Sequence, residues 1–410
     1  MTTNLTTLAN GVRVVSRSMP HVETVALGLH VDTGARLETE ATNGVAHLLE
    51  HMVFKGTATR SARAIAEQIE DVGGSLNAYT ARDMTVFHAR MLSQDSALGL
   101  DIIADLVRNP RFDEDELERE KAVVLQELGE ARDTPDDIVF DHLQEAAYPG
   151  QAIGRSILGS EATIAALTAV DLRDWLAVQY RGGSCIVAAA GKVDHDALVI
   201  LSERLFGDLA PGVRPAFAPA VFAPGITHDR RKFEQAHLTL GAAAPGQHHA
   251  DFDAIALFVT AAGGGASSRL FQELREERGL AYSVYASTTP YADAGLFSVY
   301  LATAKKDAAR AIDLAIDVLA TAAATLRPDE LARAKAQVRA GLLMSLESPG
   351  GWAEYLARQL LTHGVVKTPG ELVARIDAVD LDTVRAAAGR LVAGPYAVAD
   401  VGAPALKRAA

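Results

Sequence analysis

The chain has 410 residues, 49% hydrophobic and 22% charged, with a formal net charge of −13. This is the composition of a globular protein of two or more domains. The acidic balance argues against a nucleic-acid partner, which needs clustered Lys and Arg. Cys185 is the only cysteine and lies in the apolar run Ser184-Cys185-Ile186-Val187-Ala188, so an intramolecular disulfide is excluded and a reducing compartment is permitted.

The stretch Met1-Thr2-Thr3-Asn4-Leu5 has neither a basic n-region nor an apolar h-region. No run of about 18 uncharged apolar residues follows. Neither a targeting peptide nor membrane insertion is therefore expected, and the expected location is cytoplasmic. In chain order, the first half predicts strands near 11–16, 24–32, 75–80, 84–91 and 184–191. It predicts helices near 44–52, 62–72, 94–107, 114–132, 136–147, 172–179 and 196–206. The alternation Thr85-Val86-Phe87-His88-Ala89-Arg90 marks a half-buried strand. Ser61 is a suitable N-cap for the second helix and Gly73-Gly74 a suitable stop, while Asp113 with Glu116 resembles a capping arrangement for the fourth. The second half predicts strands near 235–243, 281–287, 295–303 and 396–402. Hairpin-like strands followed by runs of helix suggest an α+β fold, with a mainly antiparallel sheet carrying packed helices in each half.

Prolines 211, 215, 219 and 224 give residues 210–229 the composition of an extended linker. It divides the chain into domains 1–209 and 230–410, and the two resemble each other. Glu23–His30 corresponds to Glu234–Gly241, Asp115–Lys121 to Asp329–Lys335, and Ala169–Leu172 to Ala378–Leu381. Three matches in one order indicate an internal duplication and two homologous sandwich domains.

The first copy carries the run His47-Leu48-Leu49-Glu50-His51. It is rich in helix formers and contains no proline. On a helix, positions i, i+3 and i+4 share a face, so two imidazoles and a carboxylate project together. That set suits a zinc ion held by two histidines with a glutamate beside it as base. The flanks Val45, Ala46, Met52, Val53 and Phe54 are apolar, and polar groups buried among them need partners. Glu120 and Glu127, about two turns apart, share a face of the later acidic helix. At the offsets of the repeat, His47, Glu50 and His51 correspond to Phe258, Ala261 and Ala262, and Glu120 and Glu127 to Ala334 and Gly341. The second copy keeps the scaffold and lacks every candidate site residue.

His47-Leu-Leu-Glu50-His51-Met-Val-Phe-Lys-Gly-Thr, followed by Leu76-Asn77-Ala78-Tyr79-Thr80-Ala81-Arg82, resembles the pitrilysin family of zinc metallopeptidases. The likeness is to the two-domain branch that contains the processing peptidase of mitochondria and its bacterial relatives. The resemblance implies one zinc per chain, with Glu127 as third ligand after His47 and His51, Glu50 as general base and Glu120 as a supporting glutamate. It implies that Asn77, Ala78 and Tyr79 form an edge strand that pairs with extended substrate. In Leu274-Arg275-Glu276-Glu277-Arg278-Gly279-Leu280-Ala281-Tyr282, the resemblance implies that Arg275 and Tyr282 bind substrate near the scissile bond. The expected activity is hydrolysis of peptides or unfolded polypeptide segments, by a homodimer or by a heterodimer with a related subunit. The alternatives are a non-catalytic assembly subunit of the same fold, or a catalytic subunit that needs a different partner chain. Gly263-Gly264-Gly265 lacks a following G-K-[ST] and is no nucleotide loop; His248-His249 reads as a solvated loop.

Overall fold

The computed structural model describes residues 2–404, which form two compact units. The first comprises the chain up to Leu128 together with residues 156–218 and 345–366; the second comprises residues 129–155, 219–344 and the chain from Lys367 onward.

The sheet of the first unit contains β1 (Thr3–Thr7), β2 (Arg13–Ser18), β3 (Thr24–Val31), β4 (Ser75–Thr80), β5 (Thr85–Leu92) and β6 (Cys185–Gly191). Their order is β1-β2-β6-β3-β5-β4, with only β2 and β6 parallel. Alternation along the strands separates two faces. Val25, Leu27, Leu29 and Val31 join Phe87, Ala89 and Met91 in the main core. Helices Val45–Val53, Ser96–Arg108 and His195–Phe206 belong to this core through buried residues such as Leu48, Leu49, Leu100 and Phe206. Leu48 and Leu49 are fully buried; each contributes roughly 1.5–3 kcal/mol of burial energy and fixes which side of its helix turns outward. Helix Pro349–His363, far along the chain, packs on β2, β3 and β6.

The second unit repeats the plan with β7 (Ile226–Asp229), β8 (Ala236–Ala244), β9 (Ala281–Pro290), β10 (Gly295–Thr303) and β11 (Ala397–Val401). Their order is β7-β11-β8-β10-β9, and β7 and β11 are the parallel pair. The order is that of the first sheet without β1. Helices Phe252–Gly263, Ala308–Thr325 and Leu381–Val392 share one core with this sheet, and helix Pro135–Ala147, from the first half of the chain, packs on β7, β8 and β11. Each sheet therefore receives one helix encoded in the opposite half.

Each expected strand and helix is observed to within about three residues at each end, the ordinary fraying of boundaries; helix Glu161–Ala166 and the helices of the second half carry no expected bounds. Two strands were not anticipated. β1, Thr-Asn-Leu-Thr-Thr, is an exposed edge strand without an apolar pattern. β7 lies inside the expected linker; after Pro224 the residues from Ile226 to Asp229 all have free backbone donors and pair with Val398–Val401.

Candidate metal centre and its surroundings

Helix Val45–Val53 carries the H-x-x-E-H motif. Val45, Ala46, Leu48, Leu49, Met52 and Val53 are buried, which leaves His47, Glu50 and His51 on the remaining face, partly accessible. The two imidazole rings lie 4.7 Å apart at 66°. The acidic helix Glu114–Asp133 buries Leu117, Glu120, Lys121, Val124 and Leu128, and so presents Glu127 at the border of the buried stripe.

His47, His51 and Glu127 each offer a ligand atom, and the three atoms lie within 4.8 Å of one another. Glu127 Oε2 is 3.7 Å from His47 Nε2 and 3.5 Å from His51 Nε2. Those separations are too long for good hydrogen bonds. They are close to the edges of a tetrahedron built on typical zinc–ligand bonds, about 3.3–3.5 Å. His51 Nδ1 lies 3.1 Å from Glu120 Oε2, and because a carboxylate accepts, this contact favours the tautomer with the proton on Nδ1, which leaves the Nε2 lone pair available to a metal. Glu120 is nearly buried and its other oxygen accepts from Lys55 Nζ at 2.7 Å. Burial, and then the neighbouring His51, hold the His47 imidazole at a pKa of about 4, so it is neutral at physiological pH as a ligand must be. Its buried Nδ1 has no hydrogen-bond partner among the described residues. Two imidazoles and a carboxylate, one imidazole held from behind by Glu120, form a donor set that fits zinc.

Glu50 belongs to the same face without joining the ligand cluster. Its Oε2 accepts a 2.7 Å hydrogen bond from Thr80 Oγ1 at the end of β4. Burial raises the Glu50 carboxyl above its ordinary pKa, opposed by the Thr80 hydrogen bond and by His51, and reinforced by Glu127.

β4 is the edge of its sheet. The Asn77 side chain accepts from Ala78 N at 2.9 Å, so one edge donor is already occupied. Tyr79 donates its hydroxyl to Glu354 Oε1 at 2.7 Å, on helix Pro349–His363, and Arg358 lies beside both. Arg275 and Tyr282 are neighbours within the second unit. The guanidinium of Arg275 sits 5.6 Å from the Tyr282 ring and 4.8 Å from that of Phe271, on a π-helical turn over Phe271–Glu277. Tyr282 is 73% exposed at the start of β9.

Phe258 and Ala262, equivalent to His47 and His51, are buried in helix Phe252–Gly263; Ala334, equivalent to Glu120, is buried; at Gly341, equivalent to Glu127, a Cβ would meet no described atom within 4 Å. Three side chains of the centre were not foreseen: Thr80 on Glu50, Lys55 on Glu120, and Glu38 at the start of the motif helix. Thr80 and Lys55 both stand within the quoted motif segments, but their partners lie 30 and 65 residues away; Glu38 gave no signal.

Comparison with known proteins gives a consistent set of likenesses. The model for the insulinase family of peptidases, M16, matches residues 13–161, and that for the M16 inactive domain matches residues 166–338. An uncharacterized zinc protease of Mycobacterium tuberculosis is 38% identical over 98% of this chain and 94% of its own length. A probable mitochondrial-processing peptidase subunit beta of Arabidopsis thaliana is 35% identical over 95% of this chain and 76% of its own. The crystal structure of a Pseudomonas fluorescens protein, described as a peptidase M16 inactive domain, superposes with a TM-score of 0.91 over 100% of this chain and 99% of that one, at 22% identity.

Proposed function

The chain belongs to the M16 (pitrilysin/insulinase) peptidase family, and within it we propose that this protein is a zinc-dependent endopeptidase acting on peptides or unfolded polypeptide segments. The observation that carries this reading is the convergence of His47, His51 and Glu127, with Glu120 fixing the His51 tautomer. Zinc held by these three would supply Lewis acidity, polarising a scissile carbonyl and making a water a better nucleophile near neutral pH.

Glu50 acts as general base in this proposal. Its carboxylate takes a proton from the attacking water as the new C–O bond forms, and returns it to the amine nitrogen as the C–N bond breaks. A carboxyl raised by burial is suited to both transfers, and Thr80 aims it. Glu120 acts through His51. The β4 edge, at Asn77, Ala78 and Tyr79, would receive substrate as an added strand, which uses main-chain hydrogen bonds and asks little of sequence. Arg275 and Tyr282 would donate hydrogen bonds to substrate carbonyl oxygens, an assignment supported by the motif resemblance and by their side-by-side placement. A homodimer in the cytoplasm completes the proposal; no helix among the described residues is long and apolar enough to cross a membrane.

The second reading is a non-catalytic member of the same fold. The matching inactive-domain model and the full-length likeness to a structure described by that name favour it. Incubating the purified protein with unstructured peptides separates the two. Cleavage that a chelator abolishes and stoichiometric zinc restores supports the peptidase. A zinc-loaded, folded protein that cuts nothing supports the non-catalytic member.

A further inference from the structure

The motif helix has no cap of its own. Its N-cap is Gly44, at φ +95°, and a side chain there would collide with Ile164 Cδ1 at 2.5 Å and press on Leu158 O at 3.1 Å. The Ser, Thr, Asp and Asn residues that usually terminate helices are therefore barred from this position. The missing acceptor comes from Glu38, only 3% exposed. Its Oε2 accepts from Gly44 N at 2.8 Å and from Asn43 Nδ2 at 2.8 Å, and its Oε1 accepts from Ala46 N at 2.9 Å. Asn43 is itself held by Ser156 O at 3.0 Å. A buried carboxylate thus meets the positive end of the helix dipole and receives three N–H donors.

The other end of this short segment is tied to the substrate-side hairpin. Ala35 N donates to Ala81 O at 3.0 Å and Arg36 N to Arg82 O at 2.9 Å, in the turn between β4 and β5. The contact is close enough that a Cβ on Gly34 would lie 2.2 Å from Ala81 O. Ala81 directly follows Thr80, the residue that hydrogen-bonds Glu50. Residues 34–38 therefore connect the start of the helix that carries His47, Glu50 and His51 with the turn that directly follows Thr80, the partner of Glu50.

We infer that Glu38 is a positioning residue: its carboxylate sets the height and rotation of the motif helix, so that the two histidines meet Glu127 and Glu50 meets Thr80. This rests on the zinc-peptidase reading. Glutamine at 38 cannot substitute, because its amide NH2 must face at least one of the three donors that now converge on the carboxylate.

The test compares wild type, Glu38→Gln and Asp194→Ala. Asp194 caps helix His195–Phe206 in the same unit, through Ala197 N at 2.8 Å, and that helix carries no site residue. Three quantities are measured: zinc affinity by competition with a chelating dye, the visible absorption of the cobalt-substituted protein, and kcat and KM on an unstructured peptide. Glu38→Gln is expected to weaken zinc binding about ten-fold or more, shift the cobalt bands and lower kcat with KM little changed. Asp194→Ala is expected to lower thermal stability and leave all three unchanged. A folded Glu38→Gln with wild-type zinc affinity and cobalt spectrum overturns the inference. If Glu38→Gln does not fold, Asn43→Ala, which removes one of the bonds that aim the carboxylate, carries the same comparison at smaller amplitude. Wild-type protein that binds no zinc would overturn the functional reading instead, so the two failures are distinguishable.

Discussion

Replacing Glu120 tests whether the residue behind His51 controls the metal centre. Glu120 accepts from His51 Nδ1 at 3.1 Å and from Lys55 Nζ at 2.7 Å while nearly buried. Glu120→Ala removes both acceptors. Lys55 is about one-third exposed and resolvates, so its lost ion pair costs at most about 1 kcal/mol. The larger effect is on His51: without a carboxylate on Nδ1 the proton can move to Nε2, the nitrogen that faces Glu127. A hydrogen bond to a charged group is worth about 1.5–3 kcal/mol, and loss of such an orienting partner weakens metal binding about 10- to 100-fold, or roughly 1.4–2.7 kcal/mol. The two routes agree in size. Glu120→Gln should fall between, since its amide oxygen can still accept from Nδ1–H while its NH2 is turned toward the Lys55 ammonium. Zinc dissociation constants from dye competition at pH 7.5, with circular dichroism to confirm folding, give the measurement. A folded Glu120→Ala that holds zinc within two-fold of wild type would refute the tautomer argument.

Glu50→Gln should bind zinc as wild type does and lose about 10²–10⁴ of kcat, read from peptide cleavage by the metal-replete variant; near-normal turnover would remove Glu50 from the mechanism. Acid stability should depend on His30, which burial under helix Pro349–His363 holds at a pKa of about 4, with Glu354 opposing and Arg358 and His88 reinforcing. The unfolded chain protonates this residue near 6.5 and the folded one only near 4, so stability is full above pH 6.5 and is lost as pH falls through that window, by up to about 3 kcal/mol. In chelator-treated protein, His30→Leu should flatten the pH dependence of Tm between 6.5 and 4; an unchanged slope would contradict the assignment. Gly34→Ala sets a Cβ 2.2 Å from the backbone oxygen of Ala81 at an unstrained φ, so its cost is steric. It should destabilise by about 1–3 kcal/mol in chemical denaturation, and a neutral variant would show that the turn yields freely.

The motif helix was readable because its information is local. A helical period places His47, Glu50 and His51 on one face, and apolar neighbours state which face is buried. The repeat implied two sandwich domains of one plan, since the halves share matching segments in one order, but it did not give the order of strands within each sheet. Glu127 was reachable only through resemblance: it is one of several acids on a solvated helix, and what distinguishes it is a separation in space from His47 and His51. Glu38, Lys55 and Thr80 were invisible for the same reason. Each acts on a partner that the fold delivers, and a single Glu or Lys in a loop, or a Thr at a strand end, carries no periodic signal that names its partner. The exchange of helices escaped because aligning two halves end to end shows which segments are equivalent and not which sheet each one covers.

That exchange bears on how the protein is made. The face of the first sheet that holds His30 and meets Tyr79 is covered by residues 349–363, about 160 residues beyond the last strand of that sheet. During synthesis at roughly 5–20 residues per second, β1 to β6 would wait several seconds to half a minute with that side open. Contacts of such long sequence separation slow folding and leave intermediates prone to association. Neither half, expressed as a fragment, would contain its own complete fold. Mixing the two fragments is the arrangement in which each could supply the helix the other lacks.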